Sequence, residues 1–148
     1  FSRHERDLLA APADAICILY GYNDARYTAA PETFNVAAFL HDYRELVGRL
    51  LSSDYARKAI VIGSPPYIPE AGFSVGSLGF TGQARAGFEA HVAAVRSLAQ
   101  SFSLAYAAVY ELMAMQPDGS LASSDITHPN DAGHQLIAQA FLEAAIQD

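Results

Sequence analysis

The chain has 148 residues, 51% of them apolar, one cysteine and a formal net charge of −7 at pH 7, which is enough for one domain with a real core. The acidic balance and the single lysine, Lys58, argue against a nucleic-acid partner, which would want a basic face. No run of about 18 apolar residues occurs, so no membrane span is expected, and a lone cysteine excludes an internal disulfide framework.

Residues 2–9 read as the end of a charged helix closed by Pro12, with neither the basic start nor the long apolar segment of a signal peptide. The chain reads as one joined part-way through. Residues 15–20 are apolar at consecutive positions, which predicts a strand covered on both faces in a parallel sheet, with Cys17 as a small buried hydrophobe. The strand breaks off in Gly21-Tyr22-Asn23-Asp24, a turn, and a polar loop follows over residues 25–34. Val36, Leu40, Tyr43, Val47, Leu50 and Leu51 fall at helical spacing and predict a helix over 35–53 capped by Asn35.

Residues 58–63 predict a second short buried strand. The loop after it, from Ser64 to Thr81, is rich in Gly and Pro and carries Tyr67, Phe73 and Phe80; loops of this length in a compact domain are often functional. Phe88, Val92, Val95 and Ala99 share one face of a helix predicted over 82–102, with Thr81 as its cap. A third strand is expected over 103–109, a turn at Pro117-Asp118-Gly119, and a final helix over 131–146 with Leu136, Ile137, Ala140, Phe141 and Ala144 buried. Strands alternating with helices at this spacing imply right-handed crossovers and a parallel sheet. The expected fold class is α/β, a three-layer α/β/α sandwich with a flavodoxin-like sheet.

The chemistry concentrates in Asp125-Ile126-Thr127-His128-Pro129-Asn130-Asp131. An Asp and a His three residues apart, in a turn before a helix, can meet side chain to side chain. The carboxylate then holds one ring nitrogen and leaves the other free to take a proton. Pro129 suits the start of a helix, and Asn130 or Asp131 can cap it. An ordinary capped helix with a bystander histidine would use the same residues. In a parallel sheet, ligands bind beyond the carboxyl ends of the strands. Asn23, the Pro-rich loop and the Asp125 loop each follow a strand, so all three point to one end of the sheet.

A buried strand running into Gly21-x-Asn23-Asp24, with Asp125-x-x-His128 before the last helix, resembles the SGNH hydrolases, the GDSL esterase and lipase family. The resemblance covers most of the chain. It implies a serine ester hydrolase acting through an acyl-enzyme on a small-molecule ester, without a cofactor. His128 would be the general base, Asp125 its orienting partner and Asn23 the oxyanion donor. Asp24 would hold the turn by accepting backbone N–H groups. His134 reads as a surface residue. A metal held by Asp125, His128 and His134 matches no His-Glu-x-x-His spacing, and His4, His41 and His91 form no obvious cluster.

The family's Gly-Asp-Ser segment and its glycine donor are not among these residues. Ser2 lies in the charged helix, and Ser64 starts the Pro-rich loop with nothing to suggest a nucleophile elbow. The resemblance therefore implies one SGNH-hydrolase-like domain over 1–148, N-terminally incomplete. The serine would come from a missing N-terminal segment or a second polypeptide, and the strand over 15–20 would be flanked by it or open on that side. A non-catalytic, acyl-glycan-binding relative and a flavodoxin-like binding module are the alternatives.

Overall fold

The computed structural model describes residues 13–26, 36–53, 60–74 and 84–146, with positions 3, 7 and 10. Most of the helix end expected over 2–9, the Asn35 and Thr81 caps and Phe80 lie outside these residues. The described elements run β1 (Ile16–Leu19), α1 (Tyr22–Arg26), α2 (Val36–Leu51), β2 (Ile60–Gly63), α3 (Arg85–Phe102), β3 (Ala105–Ala107), α4 (Val109–Ala114) and α5 (Asp131–Ile146), with a 3₁₀ turn at Glu70–Ser74. The strands form one parallel sheet in the order β1-β2-β3. Ile16 pairs with Ile60 and Leu19 with Gly63, while Val61 pairs with Ala105 and Gly63 with Ala107.

Side chains of a strand alternate between faces, and this sheet is covered on both. Ile16, Ile18, Ile60 and Ile62 pack with Tyr43, Val47 and Leu50 of α2 and with Val95, Leu98 and Ala99 of α3. On the other face, Val61 and Ala107 pack with Val109 and Met113 of α4 and with Ala140 and Ala144 of α5. Helix, sheet and helix make three layers, as the α/β alternation predicts. No helix among the described residues is long and apolar enough to cross a membrane.

Three local expectations need correction. Cys17 is exposed rather than buried. Helix α5 packs mainly across β2 and β3; its cluster takes in Leu19 of β1 but leaves Cys17, on the same face of the strand, exposed. Among the described residues β1 pairs with β2 alone, and a groove of about 140 Å³ runs along it, lined by Ile16, Cys17, Ile18, Leu19, Tyr20 and Leu46. The Gly-x-Asn-Asp segment is a turn of helix rather than an open turn: Gly21, at φ +107°, redirects the chain into α1, and the Ala25 N–H donates to the Gly21 carbonyl at 2.9 Å. The third strand is short, Ala105–Ala107, and the six-residue helix α4 follows it. Six residues show too little periodicity for a helix to be read from spacing.

Helix α3 ends on Ser103 in the left-handed region (φ 53°). The Leu104 N–H donates to the Ala99 carbonyl and the Ser103 N–H to that of Gln100, so the last orphan carbonyls are satisfied without a glycine. Helix α5 starts where expected, capped by Asn130, whose Oδ1 accepts from the Gly133 N–H at 3.0 Å. The Asn130 amide donates to the Ser120 and Ala122 carbonyls, which ties the helix start to the loop that precedes it.

Candidate active site

The loop from Ser123 to His128 is folded around one carboxylate. Asp125 Oδ1 accepts from the Ser123 hydroxyl at 2.7 Å, the Thr127 N–H at 2.9 Å and the His128 N–H at 2.9 Å. The Ser123 N–H donates back to the His128 carbonyl at 2.8 Å. Between them Ile126 takes φ +64°. That conformation costs a β-branched residue on the order of 1–3 kcal/mol and persists only when its surroundings over-determine it. The ring of bonds around Asp125 is that surrounding.

The second carboxylate oxygen faces the imidazole. Asp125 Oδ2 lies 2.5 Å from His128 Nδ1. Hydrogen bonds from the His128 backbone, its ring, the Thr127 N–H and the Ser123 hydroxyl, in that order of weight, hold the Asp125 carboxyl well below the usual carboxylate range. An ionised Asp125 can only accept, so it selects the tautomer of the neutral ring in which Nδ1 carries the proton and Nε2 the lone pair. The His128 side chain is 70% exposed. Among the described residues no serine hydroxyl bonds its ring; the Thr127 hydroxyl lies 3.3 Å from Nδ1.

The first strand delivers its residues to the same end of the sheet. Asn23 and Asp24 sit on α1 and are exposed. Asp24 lines an open cavity of roughly 290 Å³ with Tyr20, Phe39, Asp42, Tyr43 and Leu46. The Tyr22 hydroxyl donates to the carbonyl of Thr127, across 105 positions of sequence, and so joins the Asn23 helix to the His128 loop. Gly21 allows the close approach behind it, since a Cβ there would meet Pro65 at 2.9 Å and Phe39 at 3.2 Å.

The Pro-rich loop forms a third side. Gly72 packs against the His128 loop, because a Cβ on it would lie 2.9 Å from the Ile126 carbonyl oxygen. Arg85 stacks over Tyr67, 4.4 Å to the ring centroid, and over Phe73 at 5.2 Å. It also donates to the Ile68 carbonyl, Glu70 and the Tyr110 hydroxyl. Burial and a hydrogen bond to Glu89 push the Tyr110 hydroxyl up to about 12, so it remains a neutral donor at ordinary pH.

Ser64 is fully buried and has another task. Its hydroxyl accepts from the Tyr110 N–H at 2.9 Å and donates to Glu111 at 3.0 Å. It supplies the cap that Ala108, at the start of α4, cannot provide. Glu111 in turn accepts from Tyr106 and pairs with Arg96. His134 lies on α5 and is exposed, away from the Asp125 bonds.

Of the residues expected from the sequence, Asp125 and His128 meet in one hydrogen bond, and Asn23 lies on the helix that Tyr22 ties to their loop. The sequence reading missed Tyr22, Thr127 and Ser123. A tyrosine inside a Gly-x-Asn-Asp segment carries no signal of a hydrogen bond to a residue 105 positions away. Ser123 could have been found as the residue two before Asp125, the reach of a local side-chain bond.

A family model described as GDSL-like Lipase/Acylhydrolase matches residues 2–136. The structure resembles a lipase/acylhydrolase from Enterococcus faecalis (TM-score 0.74, 16% identity, 96% of this chain and 66% of that one). It also resembles an acetylxylan esterase from Geobacillus stearothermophilus (TM-score 0.75, 19% identity, 99% and 66%). A third similar structure is an alpha/beta hydrolase enzyme from the metagenome of Lake Arreo, Spain (TM-score 0.70, 22% identity, 97% and 65%). At these identities the likeness is one of fold, and this chain spans 65–66% of the length of those three. No curated protein matches it.

Proposed function

We propose, taking as premise that the chain belongs to the GDSL-like lipase/acylhydrolase family, that it carries the acid/base pair and an oxyanion donor of a serine ester hydrolase. In this reading His128 Nε2 takes the proton of a serine hydroxyl as the serine oxygen attacks the carbonyl carbon of a carboxylic ester. Asp125 orients the ring and stabilises the imidazolium. The imidazolium returns the proton to the departing alkoxide, which leaves an acyl-serine. A water molecule activated by the same nitrogen then releases the acid and restores the serine. The Asn23 amide donates to the oxyanion of both tetrahedral intermediates, a contribution of about 3 kcal/mol for a single donor. These steps need no cofactor.

The serine in this account belongs to polypeptide outside residues 1–148, an earlier segment or a second chain, and its strand pairs with the edge of β1 opposite β2. Two observations support it. Ser64 is committed to the cap of α4, and β1 presents an apolar groove beside an edge that no strand among the described residues pairs with, and which a partner strand would cover. Tyr67 and Phe73, held by Arg85, form a wall for the acyl or alcohol group.

The observation that carries the proposal is the 2.5 Å bond between Asp125 and an exposed His128 ring. It is tested by incubating the full-length protein with a short-chain aryl ester and with an organophosphonate. The expected results are turnover, a burst of phenol on the first cycle and covalent labelling of a serine. Binding of acylated glycan without turnover or labelling would instead favour the non-catalytic reading.

A further inference from the structure

We infer that Tyr22 is a positioning residue whose hydroxyl sets the oxyanion donor and the general base in register. Tyr22 precedes Asn23, and Thr127 precedes His128. The bond from the Tyr22 hydroxyl to the Thr127 carbonyl therefore joins the immediate neighbours of the two groups that must act on one ester carbonyl. The inference rests on the roles proposed above for Asn23 and His128.

The His128 loop needs such a tie. Its internal bonds to Asp125 fix its own shape, including the left-handed Ile126, but they do not fix where the loop sits relative to β1. Among the described residues, the Tyr22 bond is the one side-chain hydrogen bond that reaches positions 125–128 from a distant part of the chain. Thr127 is only 6% exposed, so little water competes for the bond. The Tyr22 ring is itself braced, edge to face, on the fully buried Phe88 at 5.8 Å between centroids, within a cluster that includes Ala25 of α1 and Ile68. The hydroxyl is thus presented by the core, and the loop takes its position from the core through it. A donor and a base misplaced by about 1 Å lose much of the benefit of a near-attack geometry, on the order of 10²-fold in severe cases.

The test is Tyr22→Phe in the full-length protein, alone and combined with Asn23→Ala, with His128→Ala as reference. Tyr22→Phe keeps the ring on Phe88 and removes one oxygen. The inference predicts a fall in kcat of about tenfold with KM for an aryl ester within about twofold and a melting midpoint close to wild type. In the Asn23→Ala background the same change should cost less than about threefold, because the donor it aligns is gone. Equal losses in both backgrounds would overturn the inference. So would an unchanged kcat, or a loss carried by KM. Failure of Tyr22→Phe to fold would overturn it as well, by making Tyr22 a residue that holds the fold. If His128→Ala abolishes turnover while Tyr22→Phe keeps wild-type kcat, this inference alone fails. If His128→Ala keeps wild-type turnover, the underlying reading fails and takes the inference with it.

Discussion

Asp125 divides its two carboxylate oxygens between two tasks: Oδ1 folds the loop and Oδ2 orients the His128 ring. The hydrogen bonds that converge on it lower its pKa and so favour the ionised form. The sign follows from linkage. A carboxyl lowered in the folded state contributes stability that is present above its unfolded value, about 4, and lost as pH falls through the folded value. The melting midpoint of Asp125→Asn should therefore lie below that of the wild type by a gap that holds from neutral pH to about 4 and closes only in stronger acid. A gap that closes between pH 7 and 5 would assign the titration to another group. Among the described residues Asn23 makes no such structural bond, and it stands exposed on α1. Asn23→Ala is accordingly expected to lower kcat about 10²–10³-fold with little change in melting. A loss confined to KM would make Asn23 a substrate-positioning group instead.

At the scale of elements, polar side chains decide how the loops after β2 and β3 are joined. Ser64 leaves β2 and caps α4, so Ser64→Ala should strand a buried Tyr110 N–H and remove a donor from Glu111. The expected loss is about 1–3 kcal/mol in denaturant unfolding, with kcat retained. A loss of several orders of magnitude in kcat with the fold intact would mark Ser64 as the nucleophile. Helices α2, α3 and α5 were legible because their apolar positions recur over four turns or more, and the start of α5 was legible from Asn130. Helices α1 and α4 were not, since five or six residues leave no periodicity, and α4 is capped by a serine from elsewhere in the chain. The exposure of Cys17 was equally hidden. An apolar run states that a strand can be covered on both faces, and only the path of α5 shows which strands it covers.

For the whole molecule, the parallel order β1-β2-β3 carries three separated stretches of sequence to one end of the sheet. The Asp125–His128 pair could be read from its spacing within a single turn. Its relation to Asn23 could be expected only from the topology, because the Tyr22 bond that joins them spans 105 positions. The net charge of −7 and the apolar groove on β1 belong to a chain whose chemistry, in this account, depends on one imidazole. That dependence is tested most directly by the turnover of a short-chain aryl ester by the full-length protein and by its His128→Ala variant. The account predicts a loss of several orders of magnitude in kcat for the variant, with its melting midpoint preserved, because a serine hydroxyl is a poor nucleophile without a base. Near-normal turnover by His128→Ala would contradict it, and a loss on His134→Ala in its place would name the other histidine as the base.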